Sequence, residues 1–265
     1  MSTLILSPRY TDDSRIMRSA AVRAGWNVHR LGGWRAPEQL VGAEAAVYGE
    51  PLFAEVVSAQ VGLALMDPPA SWLPGLPRHH LHREVRTATL GAARDCATPV
   101  FVKPADGRKG FEGAVYDRGA GLPPAETCPD DTAVLIAEPV RWDVEFRCFV
   151  REGEVLTMSP YWRAGELAMA EDGSWPASET ELAAAHAYAK TVVAEVPLPP
   201  AVVLDIGVIE ERGWAVVEAN SAWGAGVYGC DPDRVLEVLA RACVPRSRLT
   251  AEDEQWALEA MAVDE

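Results

Sequence analysis

Apolar positions along this chain fall into short blocks whose spacing switches between two periods. The blocks at 3–7, 26–31, 45–48 and 63–66 are too short for helices and read as strands, whereas 13–24 and 51–60 repeat at helical spacing, the first stopped by Gly25. Strands alternating with helices predict a small layer of parallel strands ending near residue 70. Prolines 68, 69, 74 and 77 then forbid regular helix, so this segment reads as an extended linker and a domain boundary. Residues 81–94, rich in Arg, Ala and Leu, read as a helix. Beyond them the pattern becomes that of antiparallel strands. A strand, a glycine-interrupted loop and a second strand fill 99–116, an apolar strand at 134–137 stops at Glu138-Pro139, and 144–150 pairs with 155–162 about the turn at 151–154. An alanine-rich helix over 179–193 ends before Pro197-Leu-Pro-Pro200. Asp231-Pro-Asp233 caps a helix to about Ala242, and the capping-box spacing of Thr250 and Asp253 starts a last helix in an acidic tail.

The most informative pattern is the hairpin at 202–217. Two β-branched runs flank the polar turn Glu210-Glu211-Arg212-Gly213, and pairing 209 with 214 sets Asp205 opposite Glu218. Opposite side chains lie only about 5 Å apart, so two like charges there repel unless something offsets them. Asn220 points to the same side as Glu218. Two carboxylates and an amide oxygen converging on one spot form a hard-oxygen set suited to Mg²⁺, with room for water and phosphate oxygens. The chain has only two asparagines, Asn27 and Asn220, and one falls where the third ligand is wanted.

Basic residues add to this picture through their scarcity. Only three lysines stand against 21 arginines, yet Lys103 and Lys109 share one stretch with Gly107, Gly110 and Gly113. Compact ammonium charges beside exposed backbone N–H groups make a flexible cap over nucleotide phosphates; a glycine-rich hairpin with solvated lysines is the plainer alternative. Glu145 and Arg147, two apart on one strand, face the same side. The carboxylate suits ribose hydroxyls and the guanidinium fork suits phosphate or acyl-phosphate oxygens, with a cross-strand ion pair as the alternative. In the first layer, Ser7 to Tyr10 and the loop at Gly32-Gly33-Trp34 border the carboxyl ends of the strands, where such sheets take ligands. His79, His80 and His82 lack a further ligand in sequence and read as a surface loop rather than a zinc site.

Composition sets the outer limits. A chain of 265 residues with 49% hydrophobic content builds sizeable cores, and a net charge of −15 argues against nucleic acid and anionic lipid as partners, leaving a small or cationic substrate. No apolar run approaches the ~18 residues of a membrane span, and the opening MSTLILSPRYTDD lacks the basic flank and long apolar region of an export signal, so the expected location is cytoplasmic. The five scattered cysteines read as reduced, packed thiols.

Taken in order, F-V-K-P at 101–104 with its glycine loop, E-F-R-C-F-V at 145–150, and L-D-I-G with V-E-A-N at 204–220 followed by Gly224 and Gly226 resemble the ATP-grasp superfamily. The likeness is to a compact stand-alone clade of its glutamate-ligase-like carboxylate–amine ligases. It implies an α/β (α+β) chain: a small N-terminal parallel α/β domain with a proline-rich linker over 1–75, an ATP-grasp fold of two antiparallel-sheet subdomains over 76–245, and an acidic C-terminal helix and tail over 246–265. It also implies ATP and one or two Mg²⁺ as cofactors, a small-molecule carboxylate and amine as substrates (an amino acid or short peptide), and an amide product formed through an acyl phosphate. A homodimer is one assembly open to it. By resemblance, Lys103 contacts the phosphates or adenine N7, Lys109 is a second phosphate contact, and Glu138, Pro139 and Val140 form the hinge that reads adenine. Glu145 holds ribose, Arg147 stabilises the transferred phosphoryl group, Arg163 completes the anion site, and Asp205, Glu218 and Asn220 hold the metal. Either Arg83 or Arg86 stands in for a basic residue that many relatives carry before the central segment. A phosphotransferase or a nonenzymatic nucleotide-binding module on the same scaffold remains the alternative.

Overall fold

The computed structural model describes residues 2–105 and 110–259. The chain opens with β1 (Thr3–Leu6), α1 (Asp12–Arg23), β2 (Asn27–Arg30), β3 (Ala45–Tyr48) and α2 (Pro51–Val61), and the three strands form a parallel sheet in the order β2-β1-β3. Local chemistry sets the helix ends. Thr11 and Ser14 exchange side-chain-to-backbone bonds in a capping box, with Asp12 and Asp13 in the first turn, and Gly25 takes the left-handed conformation that stops α1.

The fourth short run departs from expectation. β4 (Leu63–Leu65) lies outside the parallel sheet and joins a two-stranded antiparallel sheet whose other member comes from near the C-terminus. The proline-rich segment that follows contains one 3-10 turn, Leu73–Gly75, and buries Trp72, Leu73 and Leu76.

The helix expected over 81–94 is replaced by three elements: α3 (Arg78–Leu81), β5 (Val85–Thr89) and α4 (Leu90–Arg94). Val85, Thr87 and Thr89 alternate at strand spacing, and the edge of a neighbouring strand overrides the helix-forming composition around them. β6 (Val100–Pro104), β7 (Ala114–Tyr116) and β8 (Ala133–Ala137) complete an antiparallel sheet in the order β5-β8-β6-β7.

The larger sheet follows. β9 (Trp142–Arg151), β10 (Glu154–Arg163), β11 (Glu166–Leu167), then α5 (Glu179–Glu195), β12 (Ala201–Ile209) and β13 (Gly213–Asn220) give the order β11-β10-β9-β12-β13. Both faces of this sheet are covered, which is why its central strands read as nearly unbroken apolar runs. Phe146, Cys148 and Val150 with Val202, Leu204 and Ile206 face the Ala185, Ala189 and Val192 stripe of α5. On the opposite face, Phe149 and Val203 enter a second core shared with α1, α2 and α6 (Pro232–Ala242). The chain closes with β14 (Cys243–Pro245), the partner of β4, and α7 (Ala251–Glu254). No helix among the described residues is long and apolar enough to cross a membrane.

Candidate functional site

The site forms where the second face of the larger sheet leaves its apolar core. In the ladder Arg147 lies opposite Asp205, and Asp205 opposite Glu218, so three charged residues from β9, β12 and β13 make one row. The register behind this row carries a correction. Near the turn, Ile209 pairs with Gly213 rather than with residue 214, and a bulge at Val217 absorbs one residue, restoring the Asp205–Glu218 pairing. A second bulge at Tyr161 on β10 lies across from Glu145 and Phe146. Bulges re-aim single side chains without disturbing the ladder beyond them. Here they serve Glu218 and Tyr161.

Asp205 is fully buried and accepts two bonds from the Arg147 fork, 3.0 Å from Nε and 2.7 Å from Nη2, while Arg147 Nη1 donates to the Gly226 carbonyl at 3.2 Å. The aromatic rings of Tyr161 and Tyr228 lie 5.1 and 4.9 Å from the guanidinium carbon. Burial alone would weaken this guanidinium's hold on its proton, but the charge and hydrogen bonds of Asp205 outweigh it and keep Arg147 charged above its ordinary value. The Asn220 amide bridges the row, its Nδ2 lying 3.1 Å from Asp205 Oδ2 and 2.8 Å from Glu218 Oε1. Lys103 Nζ bonds Glu218 Oε2, an ion pair that ties the four-stranded sheet to the larger one. Burial pushes the Glu218 carboxyl upward, yet the Lys103 ammonium and the Asn220 amide bring it down to about 2.

Glu145 lies on the same strand face as Arg147 and accepts the Tyr161 hydroxyl. Burial, with Asp205 and Glu218 adding like charge, pushes its carboxyl up to about 7 despite that bond. A carboxyl raised in the fold stabilises it fully below the unfolded value near 4.5, and that contribution disappears as pH rises toward 7. Urea unfolding at pH 5 and pH 8 is expected to show a loss linked to this group of up to roughly 3 kcal/mol. Glu145→Gln removes that component, so its advantage over the parent grows with pH.

Arg83 acts behind the row. Its guanidinium is buried, donating to the carbonyls of Val216 at 2.7 Å, Val217 at 2.8 Å and Leu81 at 3.1 Å, so it grips the bulge that positions Glu218. Burial lowers its affinity for the proton to about 10, against the pull of Glu145 and Glu218. The Trp142 ring packs against the same guanidinium and approaches Gly207, where an added Cβ would lie 2.8 Å from the ring and 2.7 Å from the Val144 carbonyl. Each stranded carbonyl costs about 1–3 kcal/mol, so Arg83→Met is expected to lower urea-unfolding stability by about 3 kcal/mol. Arg83→Lys, lacking the fork, recovers only part of it.

Some residues named from sequence lie apart from this cluster. Arg163 is held by Glu181 of α5 at 2.8 Å, and the Glu138 carboxylate pairs with Arg212 at 2.7 Å while its N–H donates to the Glu84 carbonyl at 2.9 Å. Pro139 and Val140 occupy the irregular connection between β8 and β9. Lys109 and Gly107 lie outside the described residues. Others went unnoticed in sequence. Tyr228, a non-glycine residue with φ of 49° in the loop after β13, stacks on Tyr161, and Asp13 of α1 accepts the Val227 N–H at 3.1 Å, pinning that loop. Tyr228 follows Gly224 and Gly226, the glycines that marked the loop but not the ring. Asp13 had no signal beyond an ordinary first-turn acid.

The oxygen set fits a hard divalent cation. Two carboxylates face each other across the strands, and the amide donor between them stands where a cation would relieve their repulsion. Residues 80–238 match the model of an ATP-grasp domain family, the second family of its clade. The chain belongs to this ATP-grasp family. With membership go ATP and Mg²⁺ as cofactors and the pairing of two antiparallel sheets seen here. Among solved structures, D-cycloserine synthetase DcsG shares the fold with a TM-score of 0.56 at 17% identity, over 90% of this chain and 98% of that one. D-alanine--D-alanine ligase from Bacillus anthracis gives 0.49 at 12% identity, over 91% and 97%. No curated protein sequence matches.

Proposed function

We propose that this ATP-grasp chain is an ATP- and Mg²⁺-dependent ligase that activates a substrate carboxylate as an acyl phosphate and joins it to an amine, releasing ADP and phosphate. The supporting observation is the row Arg147–Asp205–Glu218, with Asn220 beside it and Lys103 reaching it from the other sheet. Phosphoryl transfer asks little covalent chemistry of a protein; it asks for alignment and neutralisation of charge. In this reading Asp205, Glu218 and Asn220 would hold Mg²⁺, which when bound would supply positive charge against the phosphates. Lys103 meets the phosphates, with Lys109 as a second contact. Glu138, Pro139 and Val140 line the adenine, and because the Glu138 N–H is already committed to Glu84, the hinge uses other backbone groups. Glu145 takes the ribose hydroxyls. Arg147, fixed by Asp205 and flanked by two tyrosines, stabilises charge on the phosphoryl group as it moves to the carboxylate and on the acyl phosphate that results.

The test is ADP and phosphate release with Mg²⁺ across a panel of amino acids and short peptides, supplied singly and in pairs. Release that requires both a carboxylate and an amine, together with an amide product, supports the ligase. Phosphate retained on a single acceptor would make the protein a phosphotransferase.

A further inference from the structure

Away from the cleft, α3 and the last residue of α5 place two imidazoles and a carboxylate together. The Nε2 atoms of His79 and His80 lie 3.0 and 2.9 Å from the same oxygen, Glu195 Oε2, and one ligand atom from each residue falls within 4.8 Å of the others. We propose that His79, His80 and Glu195 form a binding site for a zinc-class divalent cation, distinct from the Mg²⁺ set of the nucleotide cleft.

The donor chemistry carries the choice of metal. Two imidazoles and one carboxylate match a borderline cation such as Zn²⁺, whereas Mg²⁺ prefers oxygen throughout. With bonds of about 2.0–2.1 Å, ligands at a tetrahedral centre stand roughly 3.4 Å apart, so each imidazole nitrogen needs to move from the Glu195 oxygen by only a few tenths of an ångström. His80 is 1% exposed, while the His79 and Glu195 side chains are 64% and 48% exposed, leaving the outer side open for a water as fourth ligand. A supporting partner is also present. The Tyr188 hydroxyl lies 3.4 Å from His80 Nδ1 and donates to the His80 carbonyl at 3.3 Å. With its proton given to the carbonyl, its lone pairs face Nδ1, which favours the tautomer protonated there. Nε2 then presents a bare lone pair toward Glu195, and a cation between the two satisfies both. The ligand that the histidine cluster lacks in sequence arrives from 115 residues further on. Bound metal would pin α3, at the start of the two-sheet region, to the end of α5.

The experiment is titration of chelator-treated, full-length protein with Zn²⁺ in excess Mg²⁺, followed by calorimetry, and with Co²⁺ followed by visible absorption. One equivalent is expected to bind with a dissociation constant near or below about 10 µM, raising the melting temperature, and Co²⁺ is expected to give tetrahedral d–d bands without a thiolate charge-transfer band. His79→Ala and Glu195→Gln, both at solvent-facing positions, are each expected to weaken Zn²⁺ at least about tenfold while leaving Mg²⁺-dependent ADP formation unchanged. Binding weaker than about 100 µM, a thiolate band, or binding that survives both substitutions overturns the site. Because the Zn²⁺ and Co²⁺ titrations require no turnover, failure of the ligase reading leaves the metal test intact.

Discussion

Replacing Arg147 by methionine is expected to cost about 3–5 kcal/mol of stability, because Asp205 is fully buried and its carboxylate would lose the fork that neutralises it. Asp205→Asn strands the guanidinium and is expected to cost a similar amount. The double variant Arg147→Met/Asp205→Asn leaves no uncompensated charge, so most of that stability should return. Turnover should behave differently. On the proposed reading Arg147 neutralises a moving phosphoryl, a role worth about a thousandfold or more in rate, and the double variant restores neither that group nor the carboxylate proposed to hold the metal. Urea denaturation and ADP formation on all four proteins separate the two roles. Recovery of both stability and turnover in the double variant would show that the pair is structural only.

The site was readable in sequence to the extent that charge interrupts an apolar strand. Glu145 and Arg147 alternate with Val144, Phe146 and Cys148, and Asp205 sits among Val203, Leu204 and Ile206, so period 2 alone sends the charged side chains to one face. The Asp205–Glu218 pairing was also reached, though by a uniform register, whereas the strands pair one residue differently near the turn and recover through a bulge at Val217. Bulges leave no signature in hydrophobic pattern. What decides this one is Arg83, whose guanidinium binds two carbonyls more than 130 residues away. In sequence it stands out only through the resemblance, as one of the pair Arg83 and Arg86 in a stretch that looks helical, with nothing to point it at a backbone.

Elements whose conformation is set by a distant partner were the ones misread. β5 exists because β8 offers it an edge, and β4 leaves the parallel layer because β14 pairs with it. Both are short, and in short segments propensity is weak against a ladder of backbone hydrogen bonds. The histidine cluster follows the same rule: two adjacent imidazoles become a donor set only when α5 ends beside them with Glu195. Local pattern reports faces and breaks; it does not report which remote backbone or side chain closes a site.

Glu218→Gln tests the metal assignment while keeping the shape of the side chain. Lys103 and the Asn220 amide donate to different oxygens of Glu218, so the single glutamine oxygen keeps one of the two bonds, and loss of the ion pair is offset only in part by removal of a like charge directly opposite Asp205. With the carboxyl held down to about 2, loss of its charge is expected to lower stability at neutral pH by up to roughly 3 kcal/mol, which urea unfolding measures separately from turnover. Because Glu218 titrates near pH 2, it is ionised throughout any practical assay range, so the substitution removes a full negative charge at every pH tested. A neutral amide binds Mg²⁺ far less strongly than a carboxylate, and on the proposed reading loss of the cation would leave phosphate charge that Lys103 and Arg147 alone would not neutralise. ADP formation is expected to fall by at least about a thousandfold at ordinary Mg²⁺, with part of the loss recovered by raising Mg²⁺. Lys190→Ala, at an exposed position on α5, serves as the surface control and is expected to match the parent. Unchanged ADP formation in Glu218→Gln would remove the cation from this row and return the two carboxylates to a purely structural account.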